Sequence, residues 1–145
     1  MYEQILVPTD GSEETQDAVD HAVDLAVTYD ATLHTLYVVN TNVGVDSAVI
    51  GTLEALEESG ENAIEAVIDR AQDAGVGTIE GSVARGAPHQ AILDYVDEND
   101  IDLVVMGTHG RSGLDRYLLG SVTEKVVRLS DAPVMTVGTP TGSVE

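Results

Sequence analysis

Gly107, Gly110 and Gly120, the last followed by Ser121, stand in the spacing G-x2-G-x9-G-S. The apolar run Leu103-Val-Val-Met106 before them reads as a buried strand, and a helical pattern resumes after them through Ser121-Val-Thr-Glu-Lys-Val-Val127. A strand that runs into a glycine-rich loop and then a helix presents backbone N–H groups to a phosphate. Glycines let the main chain come close to the ligand, and the helix N-terminus adds a favourable dipole. The spacing is not the Walker pattern, since no Gly-Lys-Ser/Thr follows, and it is not the dinucleotide G-x-G-x-x-G.

Charge points to the same stretch. The chain carries 26 acids against 6 bases, a formal net charge of −20. Residues 1–106 hold only Arg70 and Arg85 as cations, whereas residues 107–130 hold Arg111, Arg116, Lys125 and Arg128. Lys125 and Arg128 suit the last turns of a helix, and Glu124–Arg128 is an i,i+4 pair. Arg111 lies in the loop itself, which makes it the best single candidate for a phosphate contact. Nucleic acid does not suit so negative a chain.

The elements that must position this loop follow from periodicity. Glu3 to Thr9 reads as a strand, ended by Pro8-Thr9-Asp10-Gly11-Ser12, where Asp10 or Ser12 can cap the next helix. That helix shows Ala18, Ala22, Leu25, Ala26 and Tyr29 on one face. Leu33 to Val39 is a second strand, and 40–51 is a connection without a clear period. A long helix begins near Thr52, with Gly60 inside it as a weak point or break. Thr78 to Ala84 is a more polar strand suited to a sheet edge, and Gly86-Ala-Pro88 opens a short helix. Ile101 to Met106 is the fourth strand. Leu114 to Leu129 is the helix after the loop, with Leu118, Leu119, Val122, Val126 and Leu129 as its buried stripe. Pro133 to Val137 closes the chain as a last strand. The alternation is β-α four times and then β: an α/β fold with one doubly wound, Rossmann-like parallel sheet of five strands, in a single domain over 1–145.

Composition bounds the setting. The chain has no cysteine, so thiol and disulfide chemistry are excluded. No apolar run is long enough to span a membrane and no basic-then-apolar leader is seen, so a cytoplasmic protein is expected. An apolar content of 43% separates it from disordered acidic tails. A folded domain this acidic resembles proteins of salt-in halophiles, in which concentrated salt suppresses self-repulsion.

The motif with its flanks, together with Ile5-Leu-Val-Pro-Thr-Asp-Gly-Ser12, Arg85-Gly-Ala-Pro88 and Pro133-Val-Met-Thr-Val137, resembles the universal stress protein family, and within it the ATP-binding branch. The resemblance covers nearly the whole chain. It implies strand order 3-2-1-4-5, which reverses between strands 1 and 4, and ligands bind at the carboxyl ends of strands at such a reversal. It further implies that Asp10 and the main chain of Val38 meet the adenosine, with Pro8 and Thr9 shaping that wall and Met106 near the ribose or base. Gly107, Gly110, Gly120, Ser121 and Val122 would hold the phosphates through main-chain N–H groups, with Arg111 supplying charge. Mg²⁺ (or Mn²⁺) would bridge the phosphates, with Asp10 the carboxylate in reach. The last strand, Pro133 to Val137, would pair across a two-fold axis in a homodimer.

The implied function is an ATP-binding stress-response regulator acting as a nucleotide-dependent dimeric switch. A slow ATPase or self-phosphorylating enzyme is the alternative, ranked lower because no convincing general base is present; His109 reads as a loop or capping histidine. A module that uses no nucleotide is the third reading, and the intact glycine motif argues against it.

Overall fold

The computed structural model describes residues 2–40, 49–108 and 121–138. Five parallel strands, β1 (Gln4–Pro8), β2 (Thr32–Asn40), β3 (Thr78–Gly86), β4 (Leu103–Gly107) and β5 (Val134–Val137), lie in the order β3-β2-β1-β4-β5. They are linked by α1 (Gln16–Tyr29), α2 (Val49–Ala74), α3 (Pro88–Glu98) and α4 (Ser121–Leu129). The chain moves one way across the sheet through β1, β2 and β3, then returns to β4 and β5. Right-handed crossovers therefore put the first two helices on one face and the last two on the other.

The core follows this division. Period-two alternation sends Ile5 and Val7 of β1 toward α1 and α2, where they meet Val19, Ala22, Val67 and Ala71. Leu6 points the other way and meets Leu36, Ile92, Val96 and Val126 under α3 and α4. Strands buried on both faces read as unbroken apolar runs, as Ile5-Leu6-Val7 and Leu103 to Met106 do. The polar β3 lies at one edge, as its sequence suggests, and β5 at the other.

Two glycines set how closely α2 approaches the sheet. The helix runs unbroken through Gly60, and begins at Val49 rather than near Thr52. A Cβ at Gly60 would stand 2.6 Å from a ring carbon of buried Tyr37, and one at Gly81 only 2.4 Å from Ile64 Cγ2. Gly60 is thus a contact point and not a break. Alanine in an exposed helix interior would gain about 1 kcal/mol over glycine, but overpacking costs about 1–3 kcal/mol. Gly60→Ala is therefore expected to lower the melting temperature; an increase would show that the Tyr37 ring moves aside at little cost.

Other expectations need correction. Tyr29, assigned to the inner face of α1, is 41% exposed and stands edge-on to Tyr2 with ring centres 5.3 Å apart. The buried stripe instead runs Ala18, Val19, Ala22, Val23 and Ala26. Leu129, assigned to the stripe of α4, is the last residue of the helix and 54% exposed, while Thr123 and Val126 are buried. Residues 114–120 and 41–48 fall outside the described residues.

His34 of β2 is buried at the α3 side of the sheet. Its Nε2–H donates to Gln4 Oε1 at 2.7 Å, and its Nδ1 accepts from the Tyr95 hydroxyl at 2.8 Å. This neutral tautomer satisfies both partners. Burial pushes the His34 pKa below its usual value, against the opposing pull of Glu80. The unfolded chain takes up a proton near the ordinary histidine value of about 6.5, while the folded chain resists it, so stability falls as pH drops through that value. Thermal melts at pH values on either side of it are expected to show this loss, reduced in His34→Leu. Equal slopes in both proteins would exclude His34 as the source.

Candidate functional site

The crevice arises where β1 and β4 part. At their amino ends the two strands are stapled. The Asp102 carboxylate accepts from the N–H groups of Glu3 and Gln4 at 3.0–3.3 Å, and the Asp102 N–H donates to Gln4 O at 2.9 Å. Pairing is confined to Ile5–Leu103 and Leu6–Val104, although β1 continues to Pro8 and β4 to Gly107. Beyond Leu6 each strand keeps its outer neighbour, β2 or β5. The gap between their carboxyl ends is the reversal point of the sheet, where α/β proteins bind ligands.

On the β1 side, the turn after Pro8 is built by side chains. Thr9 is buried, its N–H donates to Leu36 O at 2.9 Å, and its hydroxyl accepts from Gly11 N–H at 3.1 Å and lies 3.2 Å from the Thr15 hydroxyl. The Thr15 hydroxyl donates to Ser12 O at 2.9 Å. Gly11 takes φ +79°, which favours glycine, and a Cβ there would lie 3.4 Å from Ala63 Cβ of α2.

Asp10 is half-buried beside this turn. Its Oδ1 accepts from the Ser12 N–H at 2.9 Å and from the Ser12 hydroxyl at 2.5 Å. Neither Asp10 nor Ser12 caps a helix as expected. A short 3-10 turn, Glu13–Thr15, intervenes before α1, and no side chain caps either element. The Ser12 hydroxyl is spent on orienting the carboxylate, and Oδ2 accepts no hydrogen bond among the described residues. A carboxylate held by one oxygen, with no described partner at the other, suits a single contact to Mg²⁺ or a sugar hydroxyl.

Val38 lies on the adjoining strand. Thr32 N–H and Leu36 O both bond toward β1, so alternation directs the N–H and C=O of Val38 the same way. The last β1–β2 register pair is Pro8–Leu36, which leaves Val38 beyond the end of β1. Its main chain thus edges the crevice, while its half-buried side chain packs with the α3-side core, as does Met106. Pro8 is half-buried at the same end.

On the β4 side, Gly107 is buried and ends the strand. Its carbonyl accepts from the buried Thr123 hydroxyl at 2.8 Å, which ties β4 to α4. Ser121, exposed, and Val122, half-buried, open that helix. Gly110, Arg111 and Gly120 fall outside the described residues. Of the described cations, Arg70, Arg85 and Arg128 pair with Asp20, Glu57 and Glu124, and Lys125 makes no ion pair among the described residues. The topology thus brings Pro8, Thr9, Asp10 and Val38 to one bank of the crevice and Met106, Gly107, Ser121 and Val122 to the other.

The sequence reading missed Thr123 and treated Ser12 as a cap only. A polar residue three positions before Val126 on an inward helical stripe was the available signal for Thr123. A separate cleft of about 370 Å³ between β3 and α3, lined by Leu36, Ala84, Gly86, Gln90 and Tyr95 among others, contains none of the expected site residues.

Comparison with known proteins bears on this arrangement. The universal stress protein family model matches residues 1–138. Universal stress protein MJ0531 of Methanocaldococcus jannaschii is 36% identical over 144 residues, covering 97% of this chain and 84% of that one. The structure of universal stress protein UspA from Lactobacillus plantarum aligns with a TM-score of 0.82 at 31% identity, covering 94% of this chain and 97% of that one. A universal stress protein crystallised in complex with cAMP aligns with a TM-score of 0.72, also at 31% identity and with the same coverages. Since sequence and sheet order agree along nearly the full length, the chain belongs to the universal stress protein family.

Proposed function

We propose that this protein binds ATP with Mg²⁺ in the crevice between β1 and β4 and acts as a nucleotide-dependent dimeric switch in a stress response. The observation that carries the reading is that the carboxylate of Asp10, held by Ser12, and the main-chain edge of Val38, unpaired with β1 among the described residues, both lie past the end of β1. The first supplies a metal or ribose contact, and the second supplies the N–H and C=O pair that an adenine edge requires. The relative in complex with cAMP supports an adenine nucleotide as the ligand class. Pro8 and Thr9 wall the adenosine, Met106 packs beside it, and Gly107, Gly110, Gly120, Ser121 and Val122 receive the phosphates with Arg111. Mg²⁺ supplies charge neutralisation to the phosphates when bound; this chain's part is to offer Asp10 Oδ2.

The switch requires a second copy. β5 is an edge strand with apolar Val134 and Met135 only half-buried, and an unpaired apolar edge invites another strand. Antiparallel pairing of Pro133 to Val137 about a two-fold axis would cover it. No described helix is long and apolar enough to cross a membrane.

Calorimetric titration of Mg²⁺ and ATP in molar KCl tests the reading, with GTP as control, Gly110→Val alongside, and light scattering on the same samples. Saturable binding of ATP by a dimer, lost in Gly110→Val, is expected. A folded protein that binds no ATP would make the glycine motif structural, and a monomer at every nucleotide concentration would exclude the switch.

A further inference from the structure

We propose that Thr123 is a positioning residue for the nucleotide phosphates, a role that rests on the ATP-binding reading. Its hydroxyl, in a side chain only 5% exposed, donates to Gly107 O at 2.8 Å, a carbonyl 16 residues back in the chain. The bond joins the two elements that flank the glycine motif: Gly107 closes β4, and Thr123, two residues past the motif's Ser121, lies in the first turn of α4. The peptide between Gly107 and Thr108 is engaged from both sides, since the Thr108 N–H donates to Val137 O at 3.1 Å. A trans peptide is planar, so two such bonds fix its orientation.

The consequence falls on the first residues of α4. With Thr123 tied to the end of β4, the main-chain groups of Ser121 and Val122 keep one placement relative to Gly107 before any ligand arrives. Donors arranged in advance bind an anion without a further ordering cost. Packing alone does not call for a hydroxyl at this position. Valine has nearly the shape of threonine and would suit a stripe that continues with fully buried Val126. A buried hydroxyl is unfavourable unless it is bonded, and here its partner is the carbonyl that ends β4.

Thr123→Val and Thr123→Ser separate the two roles, titrated with Mg²⁺ and ATP and, separately, with adenosine in molar KCl. Adenosine meets the β1 and β2 bank and Met106 but none of the phosphate donors, so it reports on the fold of the crevice without the phosphates. Thr123→Val is expected to lose about tenfold in ATP affinity and to hold adenosine within about twofold, with Thr123→Ser within about threefold of wild type for both. Thr123→Val binding ATP as wild type does would overturn the proposal, as would equal losses for ATP and adenosine. If Thr123→Val does not melt cooperatively, Thr123→Ser decides: retained ATP affinity supports the hydroxyl, and a tenfold loss there refutes it. Wild-type protein that binds neither ligand would overturn the nucleotide reading and this role with it, whereas the preceding outcomes leave nucleotide binding standing.

Discussion

Moved from molar KCl to a buffer of a few millimolar salt, the protein is expected to unfold. The reason lies in where the acids sit. Glu54, Glu58, Glu61, Glu65, Asp69 and Asp73 are all exposed along α2, with Glu57 beside them. Glu54–Glu58, Glu57–Glu61, Glu61–Glu65, Glu65–Asp69 and Asp69–Asp73 are i,i+4 pairs of like charge, each destabilising by about 0.2–0.5 kcal/mol. Attraction offers little in return: among the described residues the salt bridges are Arg70–Asp20, Arg85–Glu57 and Arg128–Glu124, all at the surface. In 1 M salt the Debye length is about 3 Å, shorter than the spacing of these carboxylates, and in 0.01 M it grows to about 30 Å, the scale of the domain. A net charge of −20 on 145 residues then repels itself across the whole molecule. Circular dichroism melts over a KCl series test this, and a melting temperature independent of salt would exclude it.

Asp10→Ala is expected to weaken binding of ATP with Mg²⁺ by roughly tenfold to a hundredfold, since a charged contact is worth about 1.5–3 kcal/mol and each 1.4 kcal/mol is a factor of ten. The fold should persist, because the turn is held by Thr9 and Thr15 and Asp10 caps no helix. Ser12→Ala leaves the carboxylate in place but removes the hydroxyl bond that orients it, so a smaller loss is expected. The order of affinities, wild type above Ser12→Ala above Asp10→Ala, is the informative readout. Equal affinity in all three would return Asp10 and Ser12 to the turn alone.

Both expectations draw on features of different legibility. Net charge, the glycine spacing and the β-α order stand in the sequence, because composition and period are local properties. The strands were readable because a parallel sheet buries both faces, and Ile5-Leu6-Val7 and Leu103 to Met106 therefore carry unbroken apolar runs. The strand order came from family resemblance, since periodicity does not say which strands are neighbours; the sheet confirms it.

Contacts between distant segments were decided by tertiary structure. Gly60 looked like a flaw in a helix because propensity counts the backbone alone. The fold shows it as the point where α2 meets the Tyr37 ring. Ser12 looked like a helix cap because serine before a helix commonly is one, yet its hydroxyl turns to Asp10. Tyr29 and Leu129 fit an apolar stripe by spacing, but each is the last residue of its helix and is exposed. The pairing of Thr123 with Gly107 spans 16 residues, and no local pattern announces it. From sequence alone, then, came the class of fold, written in apolar periodicity, and the expectation of a phosphate-binding loop, written in glycine spacing and charge. Only the folded chain shows which hydroxyl holds which carbonyl or carboxylate, because the path of the backbone decides whether Ser12 turns to Asp10 or to a helix end and brings Thr123 back to Gly107.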